Sequence, residues 1–370
     1  MPALVTGSAV RTCLGDGRRT FAALLSGACG AVPLRHPGRA RLNVSHGYHA
    51  AGTGPFGAAR MLSACVAEAA AASGLDTDRR RVTALVGTGL RELGAVEEFA
   101  LSGVRPPRSR LHFAEAVRRV LPGVTDVITV SNACSAGGHV LALAEDMLAQ
   151  GDADAVVVAA ADTMTQSMLA MIGRVSDPPT TRVRPFDRDR TGVLLGDGAA
   201  ALVVEPADAS GPALARVAGT GLSCDARHET APDVDGICRA MRDAYARAGR
   251  EPSETDLVIA HGTGTALNDP AECRALRAVV GATGGSPLIT AVKGAVGHTS
   301  GAAALVNADV AIRCLATGLV PPVAGLRTVL PEGAGLRFAV DDFVGLQPRL
   351  VQVNAFGFGG VNAVSLLEAP

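Results

Sequence analysis

An α/β fold is the expectation for this chain, and three observations predict it. Short β-branched runs alternate with alanine-rich helical stretches, as buried strands crossed over by helices do. The two halves of the chain echo each other in order. Of the 370 residues, 48% are hydrophobic, 19% charged and 3% aromatic. That is ample for the cores of two domains or one duplicated domain, at roughly 150 residues per unit.

The strand candidates include Ala84 to Val86, Val127 to Val130, Ala155 to Val158 and Ala201 to Val204. Pro-containing stretches at 31–57, 104–108 and 176–186 are expected to be surface loops, and no linker or low-complexity segment separates independent units. Asp126 to Val130 leads into the small-residue turn Asn132 to Gly138 and a helix to about residue 150. Pro287 to Val292 leads likewise into Lys293 to Thr299 and a helix to about residue 316. Gly192 to Gly198 before Ala199 to Glu205 is matched by Asn354 to Gly360 before Val361 to Glu368. Val86-Gly87-Thr88-Gly89 is matched by His261-Gly262-Thr263-Gly264. Offsets of about 160 to 175 residues argue for an internal duplication into halves 1–205 and 206–370, with both reactive-looking turns at a pseudo-twofold interface.

Thirty-four basic and 35 acidic residues leave a net charge of −1, so no nucleic-acid partner is expected. No apolar run reaches the ~18 residues of a membrane span. The opening Met1-Pro2-Ala3-Leu4-Val5 lacks a basic n-region, so a cytoplasmic protein with no membrane partner is expected. The eight cysteines (13, 29, 65, 134, 224, 238, 273 and 314) form no CxxC pair and no Cys/His cluster at ligand spacing, so neither disulfides nor a metal are expected. No phosphate-loop or dinucleotide fingerprint occurs in its required context.

The basic residues are 33 arginines and one lysine, Lys293, which invites a chemical reason, since a compact, pKa-tunable ammonium is what arginine cannot imitate. Cys134 follows a strand and opens a helix among small residues; it is either a packed cysteine or a nucleophile whose thiolate the helix N-terminus favours. His261 ends the strand Leu257 to Ala260, and His298 sits in a glycine-rich turn five residues after Lys293. Each alone reads as structural, but two at equivalent strand-to-loop junctions read as a site. The remaining histidines (36, 46, 49, 112, 139 and 228) are expected on the surface or in the core. Phe356-Gly357-Phe358-Gly359-Gly360 is either a plain strand connection or a swinging gate over a pocket.

Together these segments resemble a β-ketoacyl-[acyl-carrier-protein] synthase, an elongating-type ketosynthase of the thiolase superfamily. The resemblance rests on Leu4 to Gly7, Asn132 to Ser135, Arg184 to Asp187, Gly196 to Ala199, His261 to Thr265, Asn268 to Glu272, Lys293 to Ala302 and Phe356 to Asn362. It implies an internally duplicated five-layer α/β/α/β/α thiolase fold, usually dimeric, with no cofactor bound by the chain itself and substrates carried on the phosphopantetheine of acyl carrier protein. By resemblance, Cys134 takes the acyl group as a thioester, and the N–H groups of Cys134 and Phe358 hold the oxyanion. His261 and His298 assist decarboxylation of malonyl-carrier protein and stabilise the enolate. Lys293 paired with Glu272 orders the histidines, Phe358 gates the acyl pocket and Phe356 supports that turn.

The region before Cys134 is shorter than the family pattern, with the losses near 31–57 and 101–125, where family members build dimer contacts and part of the acyl pocket; Asn132 and Asp197 also depart from it, and these two point to specialised, polyketide-type metabolism. Two other functions on the same fold are a non-condensing, chain-length-factor-like partner of a second ketosynthase-like chain, and an acyltransferase to a non-carbon nucleophile. Met168 to Ile172 reads equally as acyl-tunnel lining or core, and Arg79 to Arg81 and Arg105 to Arg110 as carrier-protein contacts or solvated faces.

Overall fold

The structure, a computed structural model, describes residues 3–35, 42–175, 179–209 and 213–370. His36 and residues 176–178 of the loop expectations therefore lie outside the described residues. The first half supplies β1 (Ala3–Thr12), β2 (Val82–Gly87), β3 (Asp126–Val130), β4 (Ala155–Asp162) and β5 (Gly198–Pro206). The second supplies β6 (Ala215–Cys224), β7 (Leu257–Ile259), β8 (Leu288–Thr290), β9 (Arg337–Phe338), β10 (Leu350–Gly357) and β11 (Val361–Glu368). The order along the sheet is β9-β8-β7-β10-β11-β6-β1-β5-β4-β2-β3, with Gly15–Asp16 folded back onto β1.

One pairing pattern occurs twice. Strands β3, β2 and β4 run parallel, followed by antiparallel β5 and β1; strands β8, β7 and β10 run parallel, followed by antiparallel β11 and β6. The halves meet where Ala3 to Val5 pairs antiparallel with Ala215 to Val217. Strands β4 and β5 are apolar on both faces because both faces are covered: Val156, Val158, Leu202 and Val204 enter the central core, while Val157, Ala159, Ala201 and Val203 enter an outer one.

The helices are α1 (Gly17–Leu25), α2 (Gly57–Ser73), α3 (Leu93–Ser102), α4 (Ala114–Val120), α5 (Ala136–Gln150), α6 (Gln166–Val175), α7 (Val234–Ala248), α8 (Asn268–Val279), α9 (Lys293–Val296) and α10 (Ala303–Thr317). Helices α5 and α10 form the central layer, each touching strands of both halves, while α2 covers the first half from outside and α7 the second. Their close passage needs small residues. A Cβ on Gly137 would stand 3.0 Å from the Gly301 carbonyl oxygen, and one on Gly138 would stand 2.5 Å from Ala363 Cβ.

Three loop and strand expectations need correction. The 31–57 stretch is not all surface: Leu34, Leu42, Val44 and Tyr48 are buried in a satellite core with Leu169, Ile172 and Val183. In the 176–186 stretch, Val183 and Phe186 are fully buried. Such loops can be buried because side chains satisfy their backbone: the Val183 N–H donates to Tyr48 Oη at 3.1 Å and the Phe186 N–H to Asp269 at 2.7 Å. Conversely, β3 is not a buried strand; it is the sheet edge, with Ile128 45% exposed. Met168 to Ile172 lies on α6, whose Leu169 and Ile172 face the satellite core. The arginine runs are anchored to the fold, Arg80 to Glu205, Arg81 to Asp154 at 2.8 Å, and Arg110 over the Phe56 ring at 3.8 Å.

Gly138→Val is expected to destabilise the protein by about 2 kcal/mol through overpacking between α5 and β11. Gly94→Ala in α3, where an added methyl meets nothing within 4 Å, is expected to leave stability equal or slightly raised. Urea unfolding followed by circular dichroism checks both.

Candidate active site

The nucleophile candidate stands on an elbow. Edge strand β3 ends at Val130, Ala133 turns the chain with φ at 47°, and Cys134 sits in a single 3₁₀ turn that runs straight into α5. Left-handed backbone at an alanine costs roughly 1–2 kcal/mol, so the surrounding packing holds this turn in place. The expected thiolate is not the resting state. Burial pushes the Cys134 thiol up to about 11; the Lys293 charge and the N–H groups of Phe358 and Cys134 itself pull the other way, and Asp162 adds to the rise. Desolvation outweighs the donors because neither histidine supplies a positive charge.

His261 and His298 come together with ring centroids 5.4 Å apart, edge to face, and Phe356 lies 5.4 Å from His261 on another side. Burial, followed by the Lys293 charge, holds both histidines well below their usual pKa, and they are neutral at pH 7. The Phe356 N–H donates to His261 Nδ1 at 3.4 Å, and Lys293 Nζ stands 3.3 Å from the same nitrogen. Two donors on Nδ1 place the imidazole proton on Nε2. Lys293 Nζ also donates to the His261 carbonyl oxygen. His298 is fixed through its backbone, its N–H to Leu194 O at 2.8 Å and its carbonyl from Gly196 N–H at 3.0 Å, while its Nδ1 is buried without a partner.

Lys293 and Glu272 make no direct ion pair, which corrects the expected pairing. Glu272 instead accepts from the His261 N–H at 2.8 Å, the Gly262 N–H at 2.9 Å and Asn354 Nδ2 at 2.9 Å. Backbone donors occupy the carboxylate, so it acts on Lys293 only through its field: burial lowers the lysine to about 8, and Glu272 opposes the fall. Phe356 is buried, whereas Phe358 is 43% exposed and precedes Gly359 and Gly360, whose φ values are 85° and 75°.

Sequence reasoning missed four groups around this centre. Asp269 gathers the N–H groups of Phe186, Thr263 and Gly264 at 2.7, 3.0 and 3.1 Å and so ties the Arg184-to-Asp187 turn to the His261 turn. Asp162 accepts four hydrogen bonds at the end of β4. Asn307, a polar residue in the apolar helix α10, donates to the Ala260 carbonyl at 3.2 Å and leaves its Oδ1 buried without a partner. Tyr245, Gln352 and Asn354 form a buried chain leading to Glu272, with steps of 2.6, 2.7 and 2.9 Å. The one visible signal was a polar residue inside or ending an apolar run.

Two family models cover this architecture: the N-terminal domain of β-ketoacyl synthase matches residues 57–210, and its C-terminal domain matches residues 214–327. The chain belongs to the β-ketoacyl synthase family. Accordingly it is a condensing enzyme, a carbon–carbon bond-forming acyltransferase on the duplicated thiolase fold. It is similar to 3-oxoacyl-[acyl-carrier-protein] synthase 2 of Mycobacterium tuberculosis, 32% identical over 336 residues, which is 82% of this chain and 77% of that one. Nodulation protein E of Rhizobium meliloti is 37% identical over 247 residues, 64% of this chain and 60% of that one. Among solved structures, the ishigamide ketosynthase/chain length factor superposes with a TM-score of 0.90 at 29% identity, covering 100% of this chain and 99% of that one. A type II acyl-carrier protein in complex with its ketosynthase gives 0.90 at 20% identity, with coverage of 100% and 99%, which speaks to fold alone.

In this ketosynthase, alkylation of Cys134 by iodoacetamide is expected to be slow at pH 7 and to rise toward pH 10. Lys293→Met removes the cation that favours the thiolate, so the midpoint should move up by roughly one pH unit. Peptide mass spectrometry at pH values from 7 up past the midpoint reads this directly; a midpoint that stays or falls would contradict the charge balance described.

Proposed function

We propose that Cys134 accepts an acyl chain from the phosphopantetheine of an acyl carrier protein and condenses it with malonyl-carrier protein. The observation that carries the reading is the convergence of four side chains on one buried volume: Cys134 under two backbone N–H groups, and two neutral histidines edge to face beside a single lysine. In the first half-reaction the sulfur attacks the thioester carbonyl, the carrier's C–S bond breaks, and the thiol proton ends on the departing phosphopantetheine sulfur. The N–H groups of Cys134 and Phe358 hold the transient oxyanion. In the second, the malonyl C–CO₂ bond breaks and carbon dioxide leaves; the enolate attacks the Cys134 thioester, and the C–S bond breaks as the C–C bond forms.

His261 donates its Nε2–H to the enolate oxygen without adding a positive charge, and His298 is the second donor. Lys293 acts through His261, holding its carbonyl and Nδ1 in place, and Glu272 holds the same turn from the backbone side. Phe358 gates the acyl chain from an exposed, glycine-flanked position, supported by Phe356. The chain-length-factor-like reading has no such observation in its favour, because Cys134 is present on its elbow; transfer to a non-carbon acceptor likewise has none.

The acyl carrier protein is the substrate-bearing partner in this reading, and no resident cofactor is required. A second chain, identical or ketosynthase-like, is the other partner. What supports it is the open edge of β3, where Ile128 is exposed, and separately α3, a helix with only Ala95 buried and with Val96 and Leu101 exposed. We read the boundary between halves at 205/206, where β5 gives way to the connection to β6. A cytoplasmic location accords with eight unpaired cysteines.

Incubated with acyl- and malonyl-carrier proteins, the wild type is expected to release carbon dioxide and a β-ketoacyl-carrier protein two carbons longer. Cys134→Ala should abolish the acyl adduct seen by intact-protein mass spectrometry, and His298→Ala should slow condensation roughly 10²–10³-fold. A Cys134→Ala protein of unchanged activity would sink the assignment. Ile128→Lys is expected to shift the mass measured by light scattering from dimer toward monomer.

A further inference from the structure

Strands β4 and β10 hold matching places in the two halves, and each ends against a helix-opening elbow. Asp162 closes β4 opposite Gly198, the first residue of β5; Gly357 closes β10 opposite Val361, the first residue of β11. The elbows match as well: Ala133 (φ 47°) precedes Cys134 and α5, and Ser300 (φ 48°) precedes Gly301 and α10. Strand β10 packs on the Cys134 elbow, β4 packs on the Ser300 elbow, and the two elbows touch each other.

At the first elbow the strand ends without a side chain. A Cβ on Gly357 would meet Ser135 Oγ at 3.1 Å and Val361 Cγ2 at 2.9 Å, and the next N–H, that of Phe358, reaches the Cys134 sulfur. At the second elbow the same place is filled. The Asp162 carboxylate accepts from the N–H groups of Gly301 and Gly89, each at 2.7 Å, from the Leu90 N–H at 2.8 Å and from the Thr88 hydroxyl at 2.7 Å. Of the two N–H groups at the thiol, that of Cys134 has its counterpart in the Gly301 N–H, and in the second half the protein's own carboxylate takes it.

We propose that Asp162 is a positioning residue for Cys134: its carboxylate clamps the Thr88-to-Leu90 turn to the start of α10 and keeps a fixed negative charge on the elbow that touches the one carrying the thiol. The proposal rests on Cys134 being the nucleophile of the condensation above. The charged and titratable groups around the thiol are Lys293 on α9, which favours ionisation, Asp162 on β4, which opposes it, and the two neutral histidines. Glu92, buried near Asp162, is itself pushed up to about 7 by burial. A fixed anion near a thiol raises the cost of a second negative charge.

The test uses the full chain and follows Cys134 alkylation by iodoacetamide against pH. Asp162→Asn is expected to lower the midpoint by roughly one pH unit, whereas Asp162→Glu keeps the charge and the wild-type midpoint. Asp162→Gly empties the place the carboxylate holds, and sodium formate is expected to refill it, restoring both thermal stability and the alkylation midpoint. An unchanged midpoint in a folded Asp162→Asn protein, or a glycine variant on which formate acts no differently from chloride, would overturn the proposal. Alkylation needs no acyl substrate. A shifted midpoint in a protein that never condenses malonyl-carrier protein therefore supports the role of Asp162 while removing the proposed reaction.

Discussion

The buried ammonium of Lys293 is the constraint on which the rest of the site depends. An isolated charge in a dry interior is costly, and no carboxylate among the described residues touches it to offset that cost. The cation is held instead by the His261 carbonyl and Nδ1, with Glu272 acting at longer range. One placement thereby decides several properties together. It helps fix the His261 tautomer, adds to the burial that keeps two imidazoles neutral, and supplies a positive field that draws Cys134 toward its thiolate. Arginine's planar, strongly basic fork could not share a space of this size with two imidazoles, which gives a physical reason for a single lysine among 33 arginines.

Buried carboxylates do a second task, organising loops that no sheet orders. Asp162, Asp197, Asp269 and Glu272 each collect backbone N–H groups from turns that pack around the catalytic volume. Desolvation alone would drive these acids toward protonation, and Asp162 and Asp197 are indeed raised to about 6. The N–H groups they collect oppose that rise and spread the remaining charge over fixed dipoles. Turns built this way stay rigid while remaining free of regular structure, which lets reactive residues sit at strand ends.

Much of this was legible in the sequence because it was encoded by pattern. The parallel echoes of Val127 to Val130 with Leu288 to Thr290, and of Gly198 to Glu205 with Val361 to Glu368, reappear as matching strands in the two halves. Cys134, His261, His298 and Lys293 were visible because each stands at the end of an apolar run, where chemistry-bearing residues are conspicuous. The polar partners were less visible. Two of Glu272's donors are main-chain groups, which every sequence possesses, so spacing could not distinguish a salt bridge from a carboxylate held by backbone N–H groups. The burial of Tyr48, Val183 and Phe186 was hidden by prolines around them that signal turns but say nothing about depth. The height of the Cys134 pKa was hidden too, because the balance between desolvation and donors exists only after folding.

The two halves use one construction to opposite ends, which accounts for a duplicated fold with a cysteine at only one of its two elbows. Each half places a left-handed residue before a helix and brings a strand end against it. What differs is the residue closing that strand, glycine in one half and aspartate in the other. The glycine side lies at the elbow that follows β3, whose outer edge is paired with no strand among the described residues. Only three residues separate the last residue of that edge strand from Cys134. A second chain docking on β3 and α3 would therefore brace the elbow from its open side, while the closed, aspartate-filled side needs no such help. Assembly and nucleophile positioning are in that case one event, because the strand that would form the interface is the strand that delivers the thiol.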